Sequence, residues 1–101
     1  MTTSTIEQDA VRATAVTVAD GELSVSLEDG RTISVPTVWF PRLHHGTAAE
    51  QANFEINPFG IHWPDLDEDI SVQSMLLGRK SGESQRSLKR YFDRRAGATT
   101  P

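Results

Sequence analysis

The stretch ATAVTVADGELSVSLEDGRTISVP, residues 13–36, decides the fold. Val16 and Val18 alternate with Thr17, Leu23, Val25 and Leu27 with Ser24 and Ser26, and Ile33 and Val35 with Thr32 and Ser34. An apolar residue at every second position marks a strand with one buried face and one wet face. Asp20-Gly21 and Asp29-Gly30 separate the three runs. Asp-Gly enters a tight hairpin turn at little cost, because both residues tolerate positive φ. The pattern predicts a three-stranded antiparallel meander. Pro36 closes it, having no N–H to give a ladder. Such a sheet has a single apolar face and needs a cover.

The cover lies downstream. Val38, Trp39, Phe40 and Leu43 cluster around Pro41 in a short turn or helix on the sheet. Thr47 stands three residues before Glu50, the spacing of a capping box, and predicts a helix from Ala48 to about Asn53. Phe54 and Ile56 alternate with Glu55 and Asn57, which predicts a fourth short strand ended by Asn57-Pro58-Phe59-Gly60. Ser71 is placed to cap a second helix carrying Val72, Met75, Leu76 and Leu77, and Gly78 to stop it. Trp39 and Trp63 are expected in the core, and Phe59, in its turn, on the surface. The expected fold is α+β: a three- to four-stranded antiparallel sheet (β-meander) with two short helices on one face and a basic C-terminal tail. Residues 1–12 are read as a flexible N-terminus, 13–78 as the domain, and 79–101 as a conditionally helical tail with a loop-like end from Ala96.

With 101 residues and 11.1 kDa the chain fits one small domain. Apolar residues at 37% and charged residues at 24% place it among globular chains. No apolar run approaches a membrane span, and Met1 to Ala10 has neither the basic start nor the apolar stretch of a secretory signal. The expected location is cytoplasmic. The absence of cysteine excludes disulfides, thiolate metal sites and cysteine nucleophiles.

The net charge of −4 hides a segregation. Residues 1–42 carry six acids and three bases, residues 43–78 six acids and no Lys or Arg, and residues 79–101 seven bases and two acids. An acidic body with a basic tail points to an interaction surface more than to an active site. Leu88, Tyr91 and Phe92 fall on one side of a helix, with Lys89, Arg90 and Arg94 around them.

Asp29-Gly30-Arg31, Val35-Pro36 and Trp39-Phe40-Pro41-Arg42-Leu43, followed by Gly60-Ile61-His62-Trp63-Pro64-Asp65-Leu66-Asp67-Glu68-Asp69-Ile70-Ser71, resemble a small bacterial family known as domain of unknown function 2442. The resemblance spans about residues 13 to 78. It implies a small α+β domain whose members are often encoded beside a small protein resembling a toxin or a phage-related protein. It also implies a toxin–antitoxin role for some of them. Some members add a C-terminal helix-turn-helix domain, for which residues 79–101 are too few.

Asp65, Asp67 and Asp69 have the spacing that opens a calcium loop, but Ile70 stands where its glycine belongs and Leu76 where its glutamate belongs. Asp65, Asp67, Glu68 and Asp69 are therefore read in two ways. They solvate a loop anchored by Ile61, Trp63, Leu66 and Ile70, or they form an acidic surface for a basic partner. His44, His45 and His62 suggest no fourth zinc ligand, and nothing supplies a nucleophile with an orienting partner. No catalytic residue, metal ligand or cofactor is assigned. The expectation is a non-enzymatic protein-interaction module, the antitoxin-like component of a bacterial toxin–antitoxin pair. Leu88, Tyr91 and Phe92 would insert into the partner, and Arg90, Arg94 and Arg95 would meet its acidic rim. The partner is another small bacterial protein, such as a toxin, or a second copy of the chain. The alternative is a small nucleic-acid-associated regulator that binds through the same basic tail. No membrane partner is expected.

Overall fold

Both Asp-Gly pairs make the turns their chemistry favours. The structure, a computed structural model, describes residues 11–99, with side chains through Ala96. Residues 1–10, read above as flexible, lie outside the described residues, as do Thr100 and Pro101. β1 (Ala13–Ala19), β2 (Glu22–Leu27) and β3 (Thr32–Pro36) form an antiparallel sheet in the order β1-β2-β3. Asp20 (φ 54°) and Gly21 (φ 76°) both lie in the left-handed region, as a two-residue hairpin turn with the twist of its strands requires. At the second turn the Gly30 amide donates to the Leu27 carbonyl at 3.0 Å, and Gly30 takes φ 98°.

The register sets the core. Val18, Leu23 and Val35 form one inward row, and Val16, Val25 and Ile33 the next. A bulge at Thr14 lets Ala13 return to the inner face opposite Leu27. Hydroxyls line the outer face, where the Ser24 and Ser34 side chains share a 2.8 Å hydrogen bond.

The fourth strand does not extend the meander. β4 (Glu55–Ile56) opens a second antiparallel sheet with β5 (Gly60–Trp63) and β6 (Glu68–Ser71), in the order β4-β5-β6. This corrects the single sheet expected above. β6 reads Glu-Asp-Ile-Ser and has little strand propensity of its own. Pairing with β5, a strand whose Ile61 and Trp63 are fully buried, overrides it. The inner faces of the two sheets, with Phe40, Leu43, Val72 and Met75, share one core.

The connections carry the helices. A 3-10 turn (Thr37–Trp39) leads into α1 (Pro41–His44), with Pro41 at a first-turn position where no N–H is needed. α2 (Ala48–Ala52) has both halves of its capping box: Glu50 N–H donates to Thr47 Oγ1 at 3.1 Å, and Thr47 N–H to Glu50 Oε1 at 2.8 Å. Ser71 caps α3 (Val72–Leu76) through the Ser74 amide at 3.0 Å. The helix ends with Gly78 (φ 71°) donating to Met75 O and Arg79 to Ser74 O, a Schellman pair. α4 (Gln85–Thr99) makes most of the tail one helix. The loop expected from Ala96 gives way to helix as far as Thr99, Ala96 and Ala98 favouring helix enough to carry Gly97 inside it. Trp63 is fully buried and Trp39 partly so, while Phe59 stands 80% exposed at the β4–β5 tip. Among the described residues no helix is long and apolar enough to cross a membrane.

Candidate functional site

The tail helix lies against the body through one face. Leu88 and Tyr91 are buried on it, at 9% and 6% exposure. Residues 88, 91 and 95 are three and four apart and so share a side of the helix. Ser84 opens the helix by accepting from the Ser87 amide at 3.1 Å. Upstream, the Ser81 amide donates to Trp39 O at 3.0 Å, and Lys80 Nζ lies 5.3 Å above the Trp39 ring. Body, linker and helix are thereby joined at several points.

Two ion pairs fix the docked face. Arg42, on α1, donates Nε and Nη2 to the Glu83 carboxylate at 2.8 and 2.6 Å. Both side chains are largely buried, at 12% and 17% exposure. These hydrogen bonds hold the Glu83 carboxyl below the usual carboxylate range. The Arg42 guanidinium also lies 4.1 Å from the centre of the Tyr91 ring. On the other flank Arg95 Nη2 donates to Glu50 at 2.9 and 3.1 Å, with its guanidinium 5.6 Å from the same ring. Glu50 thus closes the α2 capping box and anchors the tail helix at once. The Tyr91 hydroxyl sits in the field of Arg95 but makes no well-directed hydrogen bond, and burial raises its pKa.

The residues assigned to a partner therefore divide. Leu88, Tyr91 and Arg95 pack in cis against this chain's own body. Phe92 is half-buried, its ring edge-to-face with His45 at 5.2 Å beside an open depression of about 160 Å³. Arg90 and Arg94 remain exposed, and Arg86 joins them at i, i+4 and i+8 along the outer face. Among the described residues these three form no ion pair within 4 Å, whereas Lys89 is matched by Asp93 at 3.1 Å. Sequence reasoning missed Arg42, Glu50 and Glu83 as tail anchors. Only the pairing of distant acids and bases in space reveals them.

The acidic residues are dispersed around β5 and β6. Asp65 accepts from Asn53 Nδ2 at 2.9 Å, Asp67 meets Arg42 at 3.4 Å, and Asp69 bonds His62 Nδ1 at 2.9 Å. Glu68 alone points inward, in the row of Trp63 and beside Ile70. Burial raises its pKa to about 7, opposed by the positive charge of Arg42. The histidines do not converge: His44 Nδ1 bonds Thr37 Oγ1 at 2.8 Å, His45 meets Phe92, and His62 meets Asp69. Among the described residues no three metal-binding side chains are placed to share an ion.

The meander, the second sheet and the motif from Gly60 to Ser71 fall within residues 13–81, which match the family described as Protein of unknown function (DUF2442). The chain belongs to DUF2442. No curated protein matches it. The DUF2442 chain is similar to a crystal structure of a protein of unknown function from Rhodospirillum rubrum, with 24% identity and a TM-score of 0.64 over 74% of this chain and 95% of that one. It is similar also to the solution NMR structure of an uncharacterized protein from Chromobacterium violaceum, with 17% identity and a TM-score of 0.65 over 89% of this chain and 84% of that one. At these identities the likeness carries the fold alone.

Proposed function

We propose that this chain is a non-enzymatic protein-interaction module that offers the outer, basic face of its tail helix to an acidic partner. The antitoxin-like half of a bacterial toxin–antitoxin pair is the setting we infer for it. The observation that carries the reading is the division of α4 into two faces. Leu88, Tyr91 and Arg95 hold the helix on the body, and Arg86, Arg90 and Arg94 stand exposed, with no ion pair within 4 Å among the described residues. A helix held by its own domain loses little freedom on binding, which favours affinity. Phe92, half-buried at the rim, adds apolar area.

A second reading, a nucleic-acid-associated regulator, draws on the spacing of the same arginines. Guanidinium-bearing positions four residues apart on a helix repeat about every 6 Å, close to the interval between phosphates on a strand.

Capture from native lysate, with the wild-type chain beside the charge-reversed variant R86E/R90E/R94E and with and without nuclease, separates the two. One stoichiometric protein that survives nuclease and is lost on charge reversal is the expected result. Nucleic acid alone, lost on nuclease treatment, replaces the first reading with the second. Capture that charge reversal leaves unchanged overturns both.

A further inference from the structure

A polar cavity of about 270 Å³ lies where the linker to the tail helix crosses β6 and α3. Its walls carry opposite charges. Glu68 and Asp69, the latter bonded to His62, line it from β6, Arg79 and Lys80 from the linker, Ser71 and Ser74 add hydroxyls, and Phe40 supplies apolar surface. Glu68 occupies an inward strand position, in register with the fully buried Trp63, where an apolar side chain is the ordinary choice. The Asp69 amide bonds it, and among the described residues no side chain donates to it. Arg79 likewise meets no carboxylate within 4 Å among the described residues. A part-buried acid, an exposed arginine with no ion pair and two hydroxyls line the same cavity, a set that suits a ligand carrying both charges.

We infer that this cavity is a binding site for a small zwitterion of the amino-acid class, its ammonium group on Glu68 and its carboxylate on Arg79. The Ser71 and Ser74 hydroxyls, which bond each other at 2.8 Å, can turn to either group. A primary amine alone leaves the basic wall unmatched, and a carboxylate alone leaves Glu68 unmatched. The groups acting on Glu68 are Arg42 from α1, Glu83 from the linker and Asp69 beside it on β6, and Arg79 and Lys80 line the same cavity. Glu68 holds its proton up to about pH 7 when the site is empty. An arriving ammonium favours the carboxylate, so binding near neutral pH releases a proton.

Titration of the full chain with glycine, ethylamine and acetate tests this, read by calorimetry in two buffers of different ionisation enthalpy. Glycine is expected to bind with about millimolar affinity, and ethylamine and acetate about tenfold more weakly or worse. Near pH 7 the heat should depend on the buffer, reporting proton release. Glu68→Gln and Arg79→Ala should each weaken glycine by about tenfold, and Glu68→Gln should abolish the buffer dependence. No saturable heat with glycine up to about 50 mM overturns the site. So does equal binding of acetate, or undiminished glycine binding in Arg79→Ala, a linker variant that leaves the core untouched. The arginines of the outer helix face take no part, so this result stands apart from the lysate capture.

Discussion

Arg42 and Glu83, forty-one positions apart, form a two-pronged ion pair of 2.8 and 2.6 Å that ties the tail to the body. The pair is nearly enclosed, with the Tyr91 ring stacked over the guanidinium. Removing one partner leaves the other charged and poorly solvated. Arg42→Ala should cost about 2–3 kcal/mol in urea unfolding, below the range for a fully buried pair because both ends keep some water. A double-mutant cycle with Glu83→Ala should return a coupling of about 1–2 kcal/mol. Hydrogen exchange should quicken across residues 85–96 and stay slow in β1–β3. Uniform loss of protection would mean that the pair supports the whole fold and not the tail alone.

Glu68 makes stability depend on pH. Its pKa rises from an ordinary 4.5 to about 7 on folding, so the folded state binds the proton more tightly than the unfolded chain. Stability is therefore greatest below about pH 4.5 as far as this group is concerned, and falls as pH rises through 7. Allowing for partial solvation, the loss is about 1–3 kcal/mol. Glu68→Gln should flatten the profile between pH 5 and 8, an interval set by that shift of pKa, and stabilise the protein at the upper end. A Glu68→Gln profile parallel to wild type would assign the dependence elsewhere.

Gly60 is required by backbone contact. A Cβ there would fall 2.1 Å from Ile70 O and 2.7 Å from Ser71 Cα, atoms of the paired strand that cannot yield. Gly60→Ala should cost about 3 kcal/mol or more. Gly46→Ala is the control: its Cβ meets Leu66 Cδ1 at 2.9 Å, a side-chain end that can move, and the cost should be about 1 kcal/mol. Thermal melts of the two variants side by side measure the difference.

Tyr91 separates packing from polarity. Its hydroxyl is buried without a well-directed hydrogen bond, so Tyr91→Phe should be neutral or stabilising by up to about 1 kcal/mol. Tyr91→Ala removes the ring that Arg42 and Arg95 flank and should cost about 3 kcal/mol. A large loss in Tyr91→Phe would show that the hydroxyl has a bound water or another partner.

The meander, the α2 capping box and the α3 caps are legible in the chain alone. Each rests on residues close in the chain: a period of two, an Asp-Gly pair, a Thr three before a Glu, a Ser before and a Gly after a short apolar face. The basic positions of the tail are legible too, since charge is local. Tertiary structure decided the second sheet. β6 is acidic and nearly free of apolar residues, and it is a strand only because β5 lies beside it. Tertiary structure also decided how the tail is used. Periodicity shows that Leu88 and Tyr91 share a helix face, but not what that face covers. Arg42 and Glu50, forty to fifty residues upstream, supply the answer by meeting Glu83, Tyr91 and Arg95 in space. Pairings of that range depend on how sheets and helices stack, and no local pattern in the chain records them.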